Sequence, residues 1–377
     1  MPILSSGFRP FFLAATLAAI FLVPAWLVVL STGATGGYWS GMNFHAHEMI
    51  FGYTAAVVAG FLLTAASNWT KTSVATGTPL LLLVLLWLLG RVFPLSSTLP
   101  PALTASVDLL FLPAVGVFVG RAMVRTTNRR NYFFVLLLVL LSCANVLFHL
   151  EAQGYSVPLG LGRDLALRVL AFMILVMAGR VFPMFTRNAT GGSAMIRNSL
   201  LLDRLALGSF LVAAVAEFTP LVAWAQAILW LVSGVANTVR MSTWGVSRAR
   251  APLLWILHAG YFAIALSMLL QAGFLLGFVP FASALHCFTV GGIGLLTLGM
   301  MARVSLGHSG RMLVAPRSVA VSFALLTIAA LVRVVFPLAF PSQLIFSWHL
   351  SGGLWTASFL LFLVFGSVVW FSPRADS

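Results

Sequence analysis

Seven histidines stand in a chain that carries very little charge, and they are the residues here most able to do chemistry. His45 and His47 share the run Phe44-His45-Ala46-His47-Glu48-Met49, at the head of a long apolar stretch. If that run is helical, residues two apart point about 200° from one another, so the two rings address different partners. Glu48 lies three positions after His45, on the same face, where a carboxylate can orient the ring. A single zinc or copper ion held by His45, His47 and Glu48 together would need a non-helical turn. His149, His258, His286, His308 and His349 are spread over later apolar runs. Imidazole without nearby thiolate suits haem iron or copper. The two cysteines, Cys143 and Cys287, are far apart and too few for a disulfide framework or a Cys-rich metal site.

The elements that must position these groups are membrane helices. The 377 residues are 61% hydrophobic and 7% charged, against roughly 25% charged in a soluble domain. Mean hydropathy is +1.06. A span needs about 20 mostly apolar residues. Twelve such stretches are expected, at 8–31, 43–66, 78–95, 102–123, 132–151, 163–186, 203–218, 220–243, 252–277, 281–306, 316–338 and 346–371. The chain therefore reads as an all-α, polytopic integral membrane protein forming one membrane domain over 1–377. No cleavable signal peptide is expected, because the first apolar run has no small-residue cleavage site. Arginines crowd one set of helix ends (Arg121, Arg125, Arg129, Arg130, Arg248 and Arg250 among them) and are sparse at the other. The positive-inside rule then places both termini in the cytoplasm. The formal charge of +14 belongs to that topology, not to nucleic acid. A short pattern, Gly90 to Pro94, Gly179 to Pro183 and Arg333 to Pro337, is expected to close a helix at each copy.

This topology sorts the histidines by depth. His45, His47, His149, His286 and His349 fall near the outer side, His258 and His308 near the inner. Ionisable groups inside a bilayer cost roughly 2.5–3.5 kcal/mol and default to a functional role. Haem fits a gap between helices, with His47 and His286 as the preferred axial pair and Arg91, Arg168 and Arg333 at the right depth for its propionates. His149 and His349 are candidate ligands of a second metal centre. The glycine-rich run after His286 allows close helix packing or a flat macrocycle against the backbone. Beyond it, Arg303, His308 and Arg311 can bind an anion or lipid headgroup, and His258 with His308 can hold a second haem. Asp108 and Glu217, with a few threonines, are thin material for a proton path.

Three runs carry a resemblance: HAHEMIFGYTAAVVAGFLLTAASNWT (45–70), GRVFPMFTRNA (179–189) and HCFTVGGIGLLTLGMMARVSLGHSGR (286–311). They resemble the NnrS family over essentially the whole chain. The resemblance implies a bacterial inner-membrane protein of twelve spans that contains haem (haem b, one or two) and copper, associated with nitric oxide and denitrification and protective against nitrosative stress. His45, His47, Glu48, His286, Arg303 and His308 fall in its motifs, and His258 in a family-like segment, without a ligand role for any one of them. A looser analogy is the twelve-helix haem–copper oxidase bundle, with haem histidines on helices 2 and 10. The expected partners are nitric oxide, the lipid bilayer and an unidentified electron donor. No catalytic residue stands out, and nitric oxide reduction, sequestration and sensing stay open. The competing reading is a twelve-helix transporter of a metal, haem or small anion.

Overall fold

The computed structural model describes residues 1–33, 37–197 and 199–376, and every regular element among them is helical. In hydrocarbon a backbone must satisfy its own hydrogen bonds, and the helix does this within one segment. The helices are α1 (Phe8–Thr32), α2 (Gly41–Thr70), α3 (Gly77–Leu95), α4 (Pro101–Arg125), α5 (Arg129–Ala152) and α6 (Leu161–Ala189). They continue with α7 (Leu200–Ala216), α8 (Ala223–Ser242), α9 (Pro252–Leu275), α10 (Phe281–His308), α11 (Arg317–Ala339) and α12 (Pro341–Phe371). Ten of these, all but α7 and α8, are long and apolar enough to cross a membrane. The protein is a multi-pass membrane protein.

The expected count of twelve spans meets its difficulty at α7 and α8. With 17 residues, α7 reaches about 25 Å, short of a ~30 Å hydrocarbon core. Helix α8 carries Gln226, Ser233, Asn237 and Arg240, and the last three are buried within the protein. Its polar content serves protein packing rather than lipid contact.

The described chain groups into two compact units. The first comprises Met1–Leu170, Val304–Met312 and Phe359–Ser377; the second comprises Ala171–Arg303 and Leu313–Ser358. In the first unit Gly60 lets α1 lie close on α2, since a β-carbon there would stand 3.0 Å from Phe11 and Phe12. Arg9 is buried at the head of α1 and donates to the carbonyls of Trp370 (2.8 Å) and Ser372 (2.6 Å) at the end of α12. The two ends of the chain thus lie side by side. In the second unit Gly260 and Gly299 bring α9 and α10 together, their missing β-carbons facing Leu296 and Ile256 at 2.7 and 2.8 Å. Small residues drive such close approach where lipid offers no hydrophobic contrast.

Helices α2 and α10 each contain a π-helical stretch, Glu48–Thr54 and Cys287–Gly294, beginning directly after His47 and His286. The Thr54 hydroxyl donates to Met49 O at 2.8 Å, five residues back, in keeping with the wider turn. Such insertions re-aim side chains and recur at functional sites. The expected closing pattern holds at Pro94 and Pro337 but not at Pro183, which lies inside α6 and is followed by further helix to Ala189. Proline there lacks only one hydrogen bond, to Gly179, and the space beside that glycine is taken by the Arg240 guanidinium.

Candidate metal centre

The first unit gathers a buried polar cluster from α2, α3, α4 and α5. His47 and Glu48 come from the start of α2, Arg91 from the end of α3, Asp108 from α4, and Asn145 and His149 from α5. His47, Glu48, Asp108, Asn145 and His149 are each at most 3% exposed, so bulk water does not screen their charges. Asp108 is held where α4 breaks: Pro113 cannot donate to the carbonyl of Leu109, and the helix interrupts at Leu110.

Asp108 is the hub. Its Oδ2 lies 3.2 Å from His47 Nε2 and 3.0 Å from His149 Nε2, and accepts from Asn145 Nδ2 at 2.8 Å. Its Oδ1 accepts from Arg91, which also donates to Glu48 Oε1 at 2.7 Å. His47 Nδ1 is 3.0 Å from that same Glu48 oxygen, and His47 Nε2 is 2.9 Å from Asn145 Oδ1. On the other side, Tyr38 OH stands 2.8 Å from His149 Nδ1 and accepts from Gln153 at 3.2 Å. Burial holds the Tyr38 phenol above its ordinary value, with the Gln153 hydrogen bond opposing, so the hydroxyl keeps its proton. Trp39 closes the cluster, stacked on His47 with ring centroids 3.9 Å apart, and Phe148 meets the same ring edge-on.

This donor set fits a metal ion. One atom each from His47, Asp108 and His149 lies within 4.8 Å of the others, the one such group among the described residues. Two imidazoles and a carboxylate are a common set for iron(II), and imidazole also suits copper and zinc. Each prospective ligand is held from behind. Glu48 accepts from His47 Nδ1, which leaves Nε2 to face the metal, and Arg91 holds the second oxygen of Asp108. The Tyr38 hydroxyl can donate to or accept from His149 Nδ1, and so serves either tautomer. Outer partners of this kind fix ring orientation and raise ligand basicity. Charge points the same way. Glu48 and Asp108 against Arg91 leave one negative charge in excess, and a buried excess charge is costly unless a cation balances it. A proton on His47 or a bound metal ion supplies that balance.

The packing around Asp108 is tight. A β-carbon on Gly90 would stand 2.7 Å from Asp108 Oδ1 and 3.3 Å from its Cα. Gly90→Ala is expected to push α3 off α4 and destabilise the protein by about 1–3 kcal/mol, the usual cost of overpacking. Thermal unfolding in detergent measures it, and an unchanged midpoint would contradict the close contact.

The other sequence-nominated residues lie elsewhere. His45 turns away from His47 and stacks on Trp26, with centroids 4.9 Å apart, as the helical period requires. His286 belongs to the second unit, where its Nδ1 meets Ala282 O at 2.7 Å and its Nε2 meets Arg333 at 3.1 Å. Arg333 also lies over Trp348. His258 pairs with Thr186 at 3.1 Å, and Arg303 lies over Phe185. His308, in the first unit, sits beside Phe8 and Asn68. Arg168 is half-buried in α6, and His349 is exposed on α12. The structure thus brings together His47, Glu48, Arg91 and His149 in one unit, and His286 with Arg333 in the other. Sequence reading passed over Asn145 and Tyr38 and gave Asp108 only a minor part. The available signal was an acid and an amide inside apolar spans.

A family model described as NnrS protein matches residues 2–374 of this chain. No curated protein matches it significantly.

Proposed function

The chain belongs to the NnrS family, and from that premise we propose that it is a metal- and haem-containing inner-membrane protein of bacteria that binds or converts nitric oxide and so protects against nitrosative stress. Family membership supports a role in the nitric oxide response. The observation that carries the metal reading is the buried convergence of His47, Asp108 and His149 on one point. A metal there would supply a site for nitric oxide to bind; the protein's part is to hold the ligands, fix their tautomers and keep out bulk water.

For haem, His286 has the fitting chemistry. Its Nδ1–H is committed to the Ala282 carbonyl, which leaves Nε2 as a lone-pair donor, and Arg333 beside it can pair with a propionate. His47 is better matched to the non-haem ion, since Glu48 and Asp108 already hold it. On this reading α7 and α8 complete twelve crossings with both ends in the cytoplasm, in a bundle of the haem–copper oxidase kind.

The test is an optical spectrum and elemental analysis of protein purified in mild detergent. The expected result is a Soret band that shifts on adding nitric oxide, together with a non-haem metal. His47→Ala should lose the non-haem metal and keep the Soret band, whereas His286→Ala should lower haem content. Colourless protein without metal, indifferent to nitric oxide, would sink the proposal and favour the transporter.

A further inference from the structure

The end of the first unit where the chain's two termini meet gathers more positive charge than it neutralises. Arg9 stands in the first turn of α1, Arg311 just past the end of α10, and Arg374 just past the end of α12. Hydrogen bonds tie these segments together: Ala375 N donates to Ser309 O at 2.8 Å, and Arg9 donates to Trp370 O and Ser372 O. Asp376 lies against the bare Cα of Gly310, where a β-carbon would collide with its carboxylate. At this spacing the Arg9 guanidinium feels the charges of both Arg311 and Arg374, and His308 feels that of Arg374.

Carboxylates do not balance this charge. The acids of the unit are Glu48, Asp108, Glu151, Asp164 and Asp376. Glu48 and Asp108 hold Arg91, Glu151 accepts from Asn43 and the Gly160 amide, and Asp164 accepts from Arg163. Asp376 is taken by Arg374, through two bonds of 2.9 and 2.7 Å. Arg9 commits one nitrogen, Nη1, to the last carbonyls of α12. Its Nε and Nη2 bond to nothing in the described chain, and neither is cut off from the surface. Arg311 makes a single long contact, to Ser309 O at 3.4 Å. Three guanidiniums thus share one carboxylate.

We infer that Arg9, Arg311 and Arg374 form a binding site for a phosphate group. Phosphate oxygens accept from more than one guanidinium fork at once, which no single carboxylate does as well. Two observations favour a lipid as the carrier. The cluster stands at helix ends, the depth of lipid phosphates just outside a hydrocarbon core of about 30 Å. Leading away from it, Val364, Val368 and Phe371 form an exposed apolar stripe on one face of α12, which an acyl chain can follow. The site stands independently of the metal and haem readings.

Thermal shift of the purified full-length protein in an uncharged detergent tests this, with dioctanoyl phosphatidylglycerol and sodium phosphate titrated separately. Ionic strength is held constant, with chloride as the baseline. A ligand that binds only the folded state raises the midpoint with concentration. At least one carrier should do so. A response to the lipid alone would place its acyl chains on the α12 stripe, whereas a response to sodium phosphate, with or without the lipid, would show that the phosphate suffices. Arg311→Gln and Arg374→Gln change side chains that reach the surface. Each should weaken half-saturation by roughly 10- to 100-fold, the worth of a charge-assisted hydrogen bond. Asp376→Asn removes the carboxylate that competes for Arg374 and should tighten binding. Arg250→Gln, at an exposed position of the second unit, makes the same change of net charge and should leave the response as it is. No response to either carrier in the parent would overturn the site. So would an unchanged half-saturation in both cluster variants, or an equal loss in Arg250→Gln.

Discussion

Asp108→Asn is expected to abolish the metal binding proposed for the first unit while leaving the chain inserted. The substitution keeps the side chain's size but removes the charge shared by His47 Nε2, His149 Nε2, Asn145 and Arg91. Changes to outer partners of a metal site alone cost about 10- to 100-fold in affinity, so losing a ligand carboxylate should cost ~100-fold or more. Stability falls as well. Arg91 would face Glu48 alone, and breaking a buried ion pair costs about 3–5 kcal/mol. Elemental analysis after dialysis against graded chelator reads the first effect, and thermal unfolding reads the second. His149→Gln separates the two, since it removes a ligand atom but leaves the Arg91 ion pairs in place. It should lose metal with a smaller loss of stability. A full metal complement in both variants would rule the centre out.

What could be read from sequence divides along physical lines. Helix existence was legible because bilayer thickness imposes a length and an apolarity that few other structures share; α9 and α10 begin at 252 and 281, where the apolar runs begin. The divergence of His45 and His47 was legible too, since it follows from the helical period alone. The partners of His47 were not. Asp108 and Asn145 lie about 60 and 100 positions away along the chain, and which faces of α4 and α5 turn toward α2 is decided by packing, not by local pattern. Nor was the fate of Arg91 visible. Depth alone nominated it for a haem propionate, whereas in the folded chain it is divided between two carboxylates of the protein itself. The helices α7 and α8 mark the limit in the other direction: both are apolar enough to be noticed, but α7 is too short and α8, with Gln226, Asn237 and Arg240, too polar to stand with the remaining ten.

Arg91→Met should destabilise the protein by about 3–5 kcal/mol, the cost of leaving buried charges without their partner. The side chain bridges Glu48 and Asp108, both 3% exposed, and His47 alone cannot balance two carboxylates. Adding Glu48→Gln removes one of the stranded charges, so the double variant should recover part of the loss. A coupling of about 0.5–3 kcal/mol is the range for residues in one ion-pair network. Arg91→Lys should rescue little, because an ammonium is a point charge and lacks the planar fork that spans two acceptors. The three variants are best compared by thermal unfolding of chelator-treated protein, where no bound cation masks the carboxylates. The same series discriminates between the two roles open to this arginine. If its main work were to hold a propionate, Glu48→Gln would recover nothing and haem content would fall with Arg91→Met. If it is the counter-ion of the cluster, stability returns with Glu48→Gln and haem content is indifferent, and that second pattern is the one the Glu48–Arg91–Asp108 geometry requires.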